Sequence, residues 1–307
     1  MKRFILKILL LALIVFLIDR GFGMTMNFLQ SHAKGGYIGH HNNILHKCND
    51  DILIFGSSRA IHHYNPEILT DSLGLSCYNC GQDGNGIVMF YGWWQIIKNR
   101  YLPKCIIYDV NPSFDFVTGE DNHKFLGWLR SEYDNDSIKK IFEDIDNTEK
   151  YKMFSMMYRY NSKFLQCITD YIHPIFSIKG NGFLPLSGEM DKMKIKSHPE
   201  ESKSIVYDSL KIKYLENLTI DAKRNGVNII FAASPMWYGI DKNNFTPLIN
   251  ICKKHNVRFL DFSNNSKYVH NNEYFKDGSH LNAKGADEFT KDLIECLKES
   301  RDSVSII

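Results

Sequence analysis

The chain predicts an α/β fold: a flavodoxin-like three-layer sandwich built on a five-stranded parallel sheet. Two observations carry this. Short apolar segments recur along the chain, at 51–56, 75–81, 104–110, 227–234 and 257–263, and stretches of helical spacing stand between them. A short apolar run with little polar alternation suits a parallel strand covered on both faces, and strand–helix alternation points to a parallel sheet between two helical layers. The 307 residues suffice for a substantial core. Hydrophobic residues at 44% and charged residues at 23% argue against global disorder. A net charge of +2, with Lys and Arg scattered, gives no electrostatic footprint for nucleic acid.

The elements follow in order. "DILIFG" (51–56) reads as the first strand, ending in Gly. A helical stretch at 66–73 precedes "LSCYNCG" (75–81), and 86–100 reads as a helix before "KCIIYDV" (104–110). A helix near 204–225 leads into "VNIIFAAS" (227–234), and one near 245–255 into "VRFLDFS" (257–263). The last helix spans about 283–297. Residues 115–203 interrupt the series and read as a mostly helical insertion after the third strand, its aromatics belonging to a core. The sheet domain then runs over 51–298, and 299–307 is a tail.

The N-terminus is of another kind. Lys2, Arg3 and Lys7 precede an apolar run from Ile8 to Ile18, which Asp19 and Arg20 close. A basic flank before such a run favours a cytoplasmic N-terminus with the remainder exported. Residues 1–30 are therefore expected to be an uncleaved signal anchor in the inner (cytoplasmic) membrane, single-pass and contacting the bilayer. A cleaved signal peptide is the alternative. Residues 31–50 read as a polar, Gly- and His-rich connector. Among seven cysteines, Cys77 and Cys80 form a C-x-x-C pair with no second pair and no His at finger spacing, so they read as free thiols rather than zinc ligands.

In an open parallel sheet, ligands bind beyond the carboxyl ends of the strands. Those ends carry "FGSSRA" (55–60), "NCGQDGNG" (79–86) and "DVNPSFD" (109–115), and "DGSHLNAKG" (277–285) stands before the last helix. A Ser, a Gly-rich turn and an Asp-x-x-His thus meet at one edge. A serine hydroxyl needs an imidazole to take its proton, and the imidazole needs a carboxylate to fix its tautomer and steady its charge. A Gly-rich turn lets backbone amides approach a developing oxyanion.

These blocks resemble the first, second and fifth sequence blocks of the SGNH/GDSL hydrolase superfamily, in order and in spacing. The resemblance covers about 51–110 and 204–298, outside the insertion. It implies Ser58 as nucleophile, His280 as general base and Asp277 as its orienting acid. It also implies the Ser58 amide and Gly84 as oxyanion donors, with Asn111 as a weaker side-chain donor. Ser57 stands where the family usually has Asp, and the family's Gly-x-Asn-Asp block is absent. Ser57 and Arg59 read as structural, and His62 and His63 as exposed. The implied activity is that of a serine esterase or O-acyl(acetyl)transferase acting on an acylated carbohydrate or cell-envelope polymer, extracytoplasmic and membrane-tethered. No cofactor and no metal are called for. The rival reading is a catalytically inactive scaffold or glycan-binding module on the same fold.

Overall fold

The computed structural model describes residues 1–174, 181–190 and 205–299. Five strands, β1 (Ile52–Gly56), β2 (Cys77–Asn79), β3 (Cys105–Asp109), β4 (Asn228–Ala233) and β5 (Arg258–Asp261), form one sheet in the order β2-β1-β3-β4-β5. Every pairing is parallel, and the register aligns Ile54 with Ile107 and Ile107 with Ile230. The strands match the apolar segments because each is buried on two sides. Leu53, Phe55, Ile106, Tyr108, Ile229 and Phe231 enter one core; Ile52, Ile54, Cys105, Ile107, Ile230 and Ala232 enter the other. This is the two-residue period of a strand, with apolar residues on both phases.

Seven of the helices matter for the site: α1 (Lys2–Ser31), α2 (Gly36–Asn42), α3 (Ser58–His63), α4 (Pro66–Leu73), α5 (Ile87–Ile97), α6 (Ser209–Arg224) and α7 (Thr246–His255), with α8 (Ala283–Glu299) closing the chain. Helices α5, α6 and α7 cover the first core, with Phe90, Trp93, Trp94, Leu215, Leu218 and Leu248. Helices α4 and α8 cover the second, with Leu69, Phe289, Leu293 and Leu297. Residues 115–174 add short helices such as Asp136–Ile145 and Phe164–Ile172, whose apolar faces extend the first core. The insertion's residues 175–180 and 191–204 and the tail from 300 lie outside the described residues.

Two expectations are corrected. Residues 2–31 do form a single helix, but no helix among the described residues is long and apolar enough to cross a membrane. The clean apolar run between Lys7 and Asp19 is shorter than the roughly 20 residues a span needs, and the helix's second half is taken up by the protein. Asp19 accepts hydrogen bonds from the amides of Met156 and Met157, both at 3.0 Å, and from the Ser155 hydroxyl at 2.7 Å. The first half, Phe4 to Ile18, is exposed. The stretch read as a polar connector is also ordered: α2 and the turn Asn43–Lys47 bury Ile38, His40, His41, Ile44 and Leu45 against the first core.

At the carboxyl edge, β1 breaks at Gly56, whose φ of +137° brings it against Asp109; a Cβ there would stand 2.6 Å from the Asp109 carbonyl oxygen, so only Gly fits. The chain then turns into α3. Arg59 points inward, buried, with Nε 3.4 Å from Asp109 Oδ2 and its guanidinium donating to the Val110 carbonyl. Arg59 is thus structural, as its sequence context suggested. Removing one partner of a buried ion pair strands the other charge in the core, which costs about 3–5 kcal/mol. Arg59→Met is therefore expected to lower the urea midpoint by a comparable loss of stability, with the m-value unchanged; an unaltered midpoint would show that the contact anchors nothing.

Candidate active site

Ser58 opens α3 immediately after the β1 turn, and His280 lies just before α8, 222 positions further on. The fold closes that gap: His280 Nε2 is 2.8 Å from Ser58 Oγ, and His280 Nδ1 is 3.0 Å from both carboxylate oxygens of Asp277. A carboxylate only accepts, so Nδ1 carries the proton and Nε2 presents a lone pair to the serine hydroxyl. Ser58 O–H therefore donates to His280, the geometry required of a general base. Asp277 also accepts from the amides of Ser279 and His280, at 2.8 and 2.9 Å. Burial works against its charge, but the His280 ring and these amides outweigh it and hold the carboxyl below its ordinary range.

Local sequence explains the placement. Asn282 accepts from the Gly285 amide at 2.9 Å and donates to the Glu273 carbonyl, which fixes the entry to α8. A Cβ on Gly285 would stand 2.2 Å from the Tyr274 carbonyl oxygen, which is why that position of the motif is Gly. In the second block, Asn79 is wholly buried and donates to the carbonyls of Ala60 and Tyr64 while accepting from the Gly81 amide. It ties the Gly-rich turn to the helix that carries Ser58.

Of the expected oxyanion donors, Ser58 and Asn111 line one cleft of about 680 Å³ together with His280. Asn111 Oδ1 accepts from the Ser113 amide at 3.2 Å, leaving its NH₂ to point elsewhere. Gly84 has a left-handed φ of +65° in the turn after β2, and it is not among the residues that line the cleft. Ser57 is buried, and its hydroxyl has no partner among the described residues.

Three site residues escaped sequence reasoning. Asp115, at the sequence boundary of the insertion, is fully buried and accepts from Asn111 N–H (2.6 Å), Ile87 N–H (2.8 Å) and Tyr108 O–H (2.7 Å). It joins the Asn111 turn to the start of α5, and burial pushes its carboxyl up to about 7 against those donors. His62 and His63, expected to be exposed, are buried: His62 lies against Leu184 and Asp83, and His63 between Ser234 and Leu281. His63 Nε2 accepts from the Leu281 amide at 3.0 Å, so its Nδ1 carries the proton toward Ser234 Oγ at 2.9 Å. Only the buried polar environment of such residues, not their spacing, could have revealed them. Cys77 and Cys80 are free and buried, as is Cys105.

No family model matches the chain, and no curated protein matches it. Among solved structures, an acetyl xylan esterase is 9% identical, with a TM-score of 0.40, over 80% of this chain and 99% of that one. A GDSL-like lipase from Bacteroides thetaiotaomicron is 9% identical, with a TM-score of 0.37, over 80% of this chain and 88% of that one.

Burial drives the His63 imidazole well below its ordinary value, aided by the nearby His280 and Arg59. A base depressed in the folded state contributes stability in full above its unfolded value, near 6.5, and loses it as the pH falls from there. The thermal-stability advantage of the wild type over His63→Gln is expected to be complete above pH 6.5 and to shrink below it, by at most about 1.4 kcal/mol per pH unit. An advantage that is constant or grows on acidification would contradict the neutral, doubly bonded ring. The chain's own geometry sets Ser58 after the first strand of a five-stranded parallel sheet and Asp277–His280 before its last helix.

Proposed function

We propose that this chain is a serine-dependent ester hydrolase or O-acyltransferase. The observation that carries the reading is the continuous contact from Asp277 through His280 to Ser58, in the tautomer that serine activation requires. In the reaction, Ser58 Oγ attacks the ester carbonyl as His280 Nε2 takes its proton, and Asp277 steadies the imidazolium. Ser58 and Asn111 line the same cleft, where the Ser58 amide and the Asn111 NH₂ would receive the oxyanion. His280 then gives its proton to the leaving oxygen, and the acyl group is left on Ser58. Water or a sugar hydroxyl, deprotonated by His280 in turn, resolves the acyl-enzyme.

A carbohydrate or envelope-polymer substrate is supported by the open, mixed character of the cleft. Asn244, Asp241 and Ser113 offer polar groups beside the apolar Phe114, Val117 and Ile240, the combination that suits the polar rim and apolar faces of a sugar ring. Export and attachment to a bilayer are supported by the basic residues Lys2, Arg3 and Lys7 ahead of the exposed run Ile8 to Ile18.

Covalent labelling with a fluorophosphonate tests the enzyme reading, because only an activated serine bonds the reagent. Labelling is expected in the wild type, to vanish in Ser58→Ala, to fall by a large factor in His280→Ala and by less in Asp277→Ala. A folded wild type that neither labels nor turns over p-nitrophenyl acetate would leave only a binding scaffold. For the lipid contact, the full chain is expected to float with vesicles of anionic lipid, and Leu10→Lys with Ile14→Lys to abolish flotation. Equal flotation of both proteins would refute attachment through this segment.

A further inference from the structure

His62 and Asp83 have no part in the triad, yet they join the helix that carries Ser58 to the turn that leaves β2. His62 stands one turn after Ser58 on α3, and Asp83 immediately precedes Gly84 in the turn that leaves β2. His62 Nδ1 is 2.6 Å from the Leu184 carbonyl oxygen, and Nε2 is 3.4 Å from Asp83 Oδ1. A carbonyl can only accept, so Nδ1 carries a proton. If His62 were neutral, Nε2 would then turn a bare lone pair toward a carboxylate, and Asp83 Oδ1 is itself buried with no hydrogen-bond donor of its own. With Asp83 ionised, both contacts are attractive when both ring nitrogens are protonated.

The pair is built in on every side. Tyr37, from α2, donates to Asp83 Oδ2 at 2.6 Å. Leu184 is itself held by its amide on the Ile61 carbonyl at 3.0 Å. The His62 ring meets the His280 ring edge to face, with centroids 5.7 Å apart. The charged and titratable groups around His62 are thus Asp83 and Tyr37 from the turn and α2, His63 on its own helix, and Asp277 and His280 from the last block.

We infer that protonated His62 is a positioning residue, whose ion pair with Asp83 locks the Gly84 turn to the helix that presents Ser58. The inference rests on the esterase reading above. Deprotonating His62 removes the attraction and sets two acceptors face to face, so the turn is released and the helix that presents Ser58 loses its hold on it. Burial pulls the His62 proton affinity down, but Asp83, the Leu184 carbonyl and Asp277 together raise it above its ordinary value of 6.5. For a base raised in the folded protein, the tie is complete below 6.5 and is lost as the pH rises through the folded value.

The test is kcat and KM for p-nitrophenyl acetate from pH 6 to about 9, with background hydrolysis subtracted. The wild type is expected to lose kcat on an alkaline limb above pH 6.5. Arg cannot titrate in this range, so His62→Arg should retain kcat at pH 7 within about threefold and lack the limb. His62→Gln and Asp83→Asn are each expected to lower kcat about 10- to 100-fold, with KM changed less than about twofold and no alkaline limb. A variant that merely packs badly would lower kcat without removing the limb. A limb that persists in His62→Gln, or a wild type flat over this range, overturns the inference. Fluorophosphonate labelling of Ser58 at pH 6.5 separates the two failures: a wild type that does not label has lost the esterase reading itself, whereas labelling with an unchanged limb sinks His62 alone.

Discussion

The buried contact between Arg59 and Asp109 is the constraint on which the site depends. Asp109 ends the central strand with no exposure, and its carboxylate is shared: Arg59 faces Oδ2, while Tyr64 O–H (2.7 Å) and the Ser234 amide (2.9 Å) donate to Oδ1. One side chain thereby fixes the start of α3, the segment that follows α3 and the end of β4. Ser234 continues the chain of contacts through its hydroxyl to His63, and His63 holds the Leu281 amide next to His280. Removing either buried charge would strand the other in the core, so the two ends of this contact stand or fall together. The short separation of Ser58 and His280 is its consequence: each is adjacent in sequence to a residue that the network pins.

The distribution of acids around this edge shows the same economy of position. Asp277 is partly exposed, and donors converge on it, so its charge is preserved where it faces the His280 ring. Asp115 lies in the protein interior and is pushed toward neutrality; it serves as a junction between backbone turns. Residue type alone does not separate these roles. What separates them is whether each carboxyl faces the imidazole or backbone amides in the core.

The sheet was legible in the sequence because its physics is local. An apolar segment such as 104–110 can be buried on both faces only as an inner strand, and the observed β3, Cys105–Asp109, lies inside that range. The residues Ser58, Asp277 and His280 were legible for a different reason: the chemistry demands those types, and the block spacing resembled a known order. Their approach in space was an inference that the fold then realised. What stayed hidden depended on long-range burial. His40 reads as one of several histidines in a polar stretch, but the fold encloses it between Tyr78 O–H and the Gly81 carbonyl, and burial pulls its proton affinity down to about 4. The first helix misled for the opposite reason. Its apolar run is a true local signal, but Asp19, read as a flank, is a ligand for the amides of residues 156 and 157.

Asp83 brings these lines together. By sequence it is a turn residue between two glycines, and by position it belongs to the block that resembles an oxyanion loop. Its carboxylate instead draws a hydroxyl from α2 and an imidazole from α3 onto one turn. Burial opposes its charge, but His62, Tyr37 and the nearby His280 hold its carboxyl low. The turn therefore carries a fixed negative charge beside a ring that becomes positive during the proposed reaction. That charge favours the imidazolium of His280, while protonated His62 cancels part of it at closer range. With His62 protonated, two carboxylates face one cation at the resting edge, and a proton arriving on His280 meets Asp277 in contact and Asp83 further off. Asp83 acts at this range because it is partly withdrawn from solvent, which would otherwise screen it.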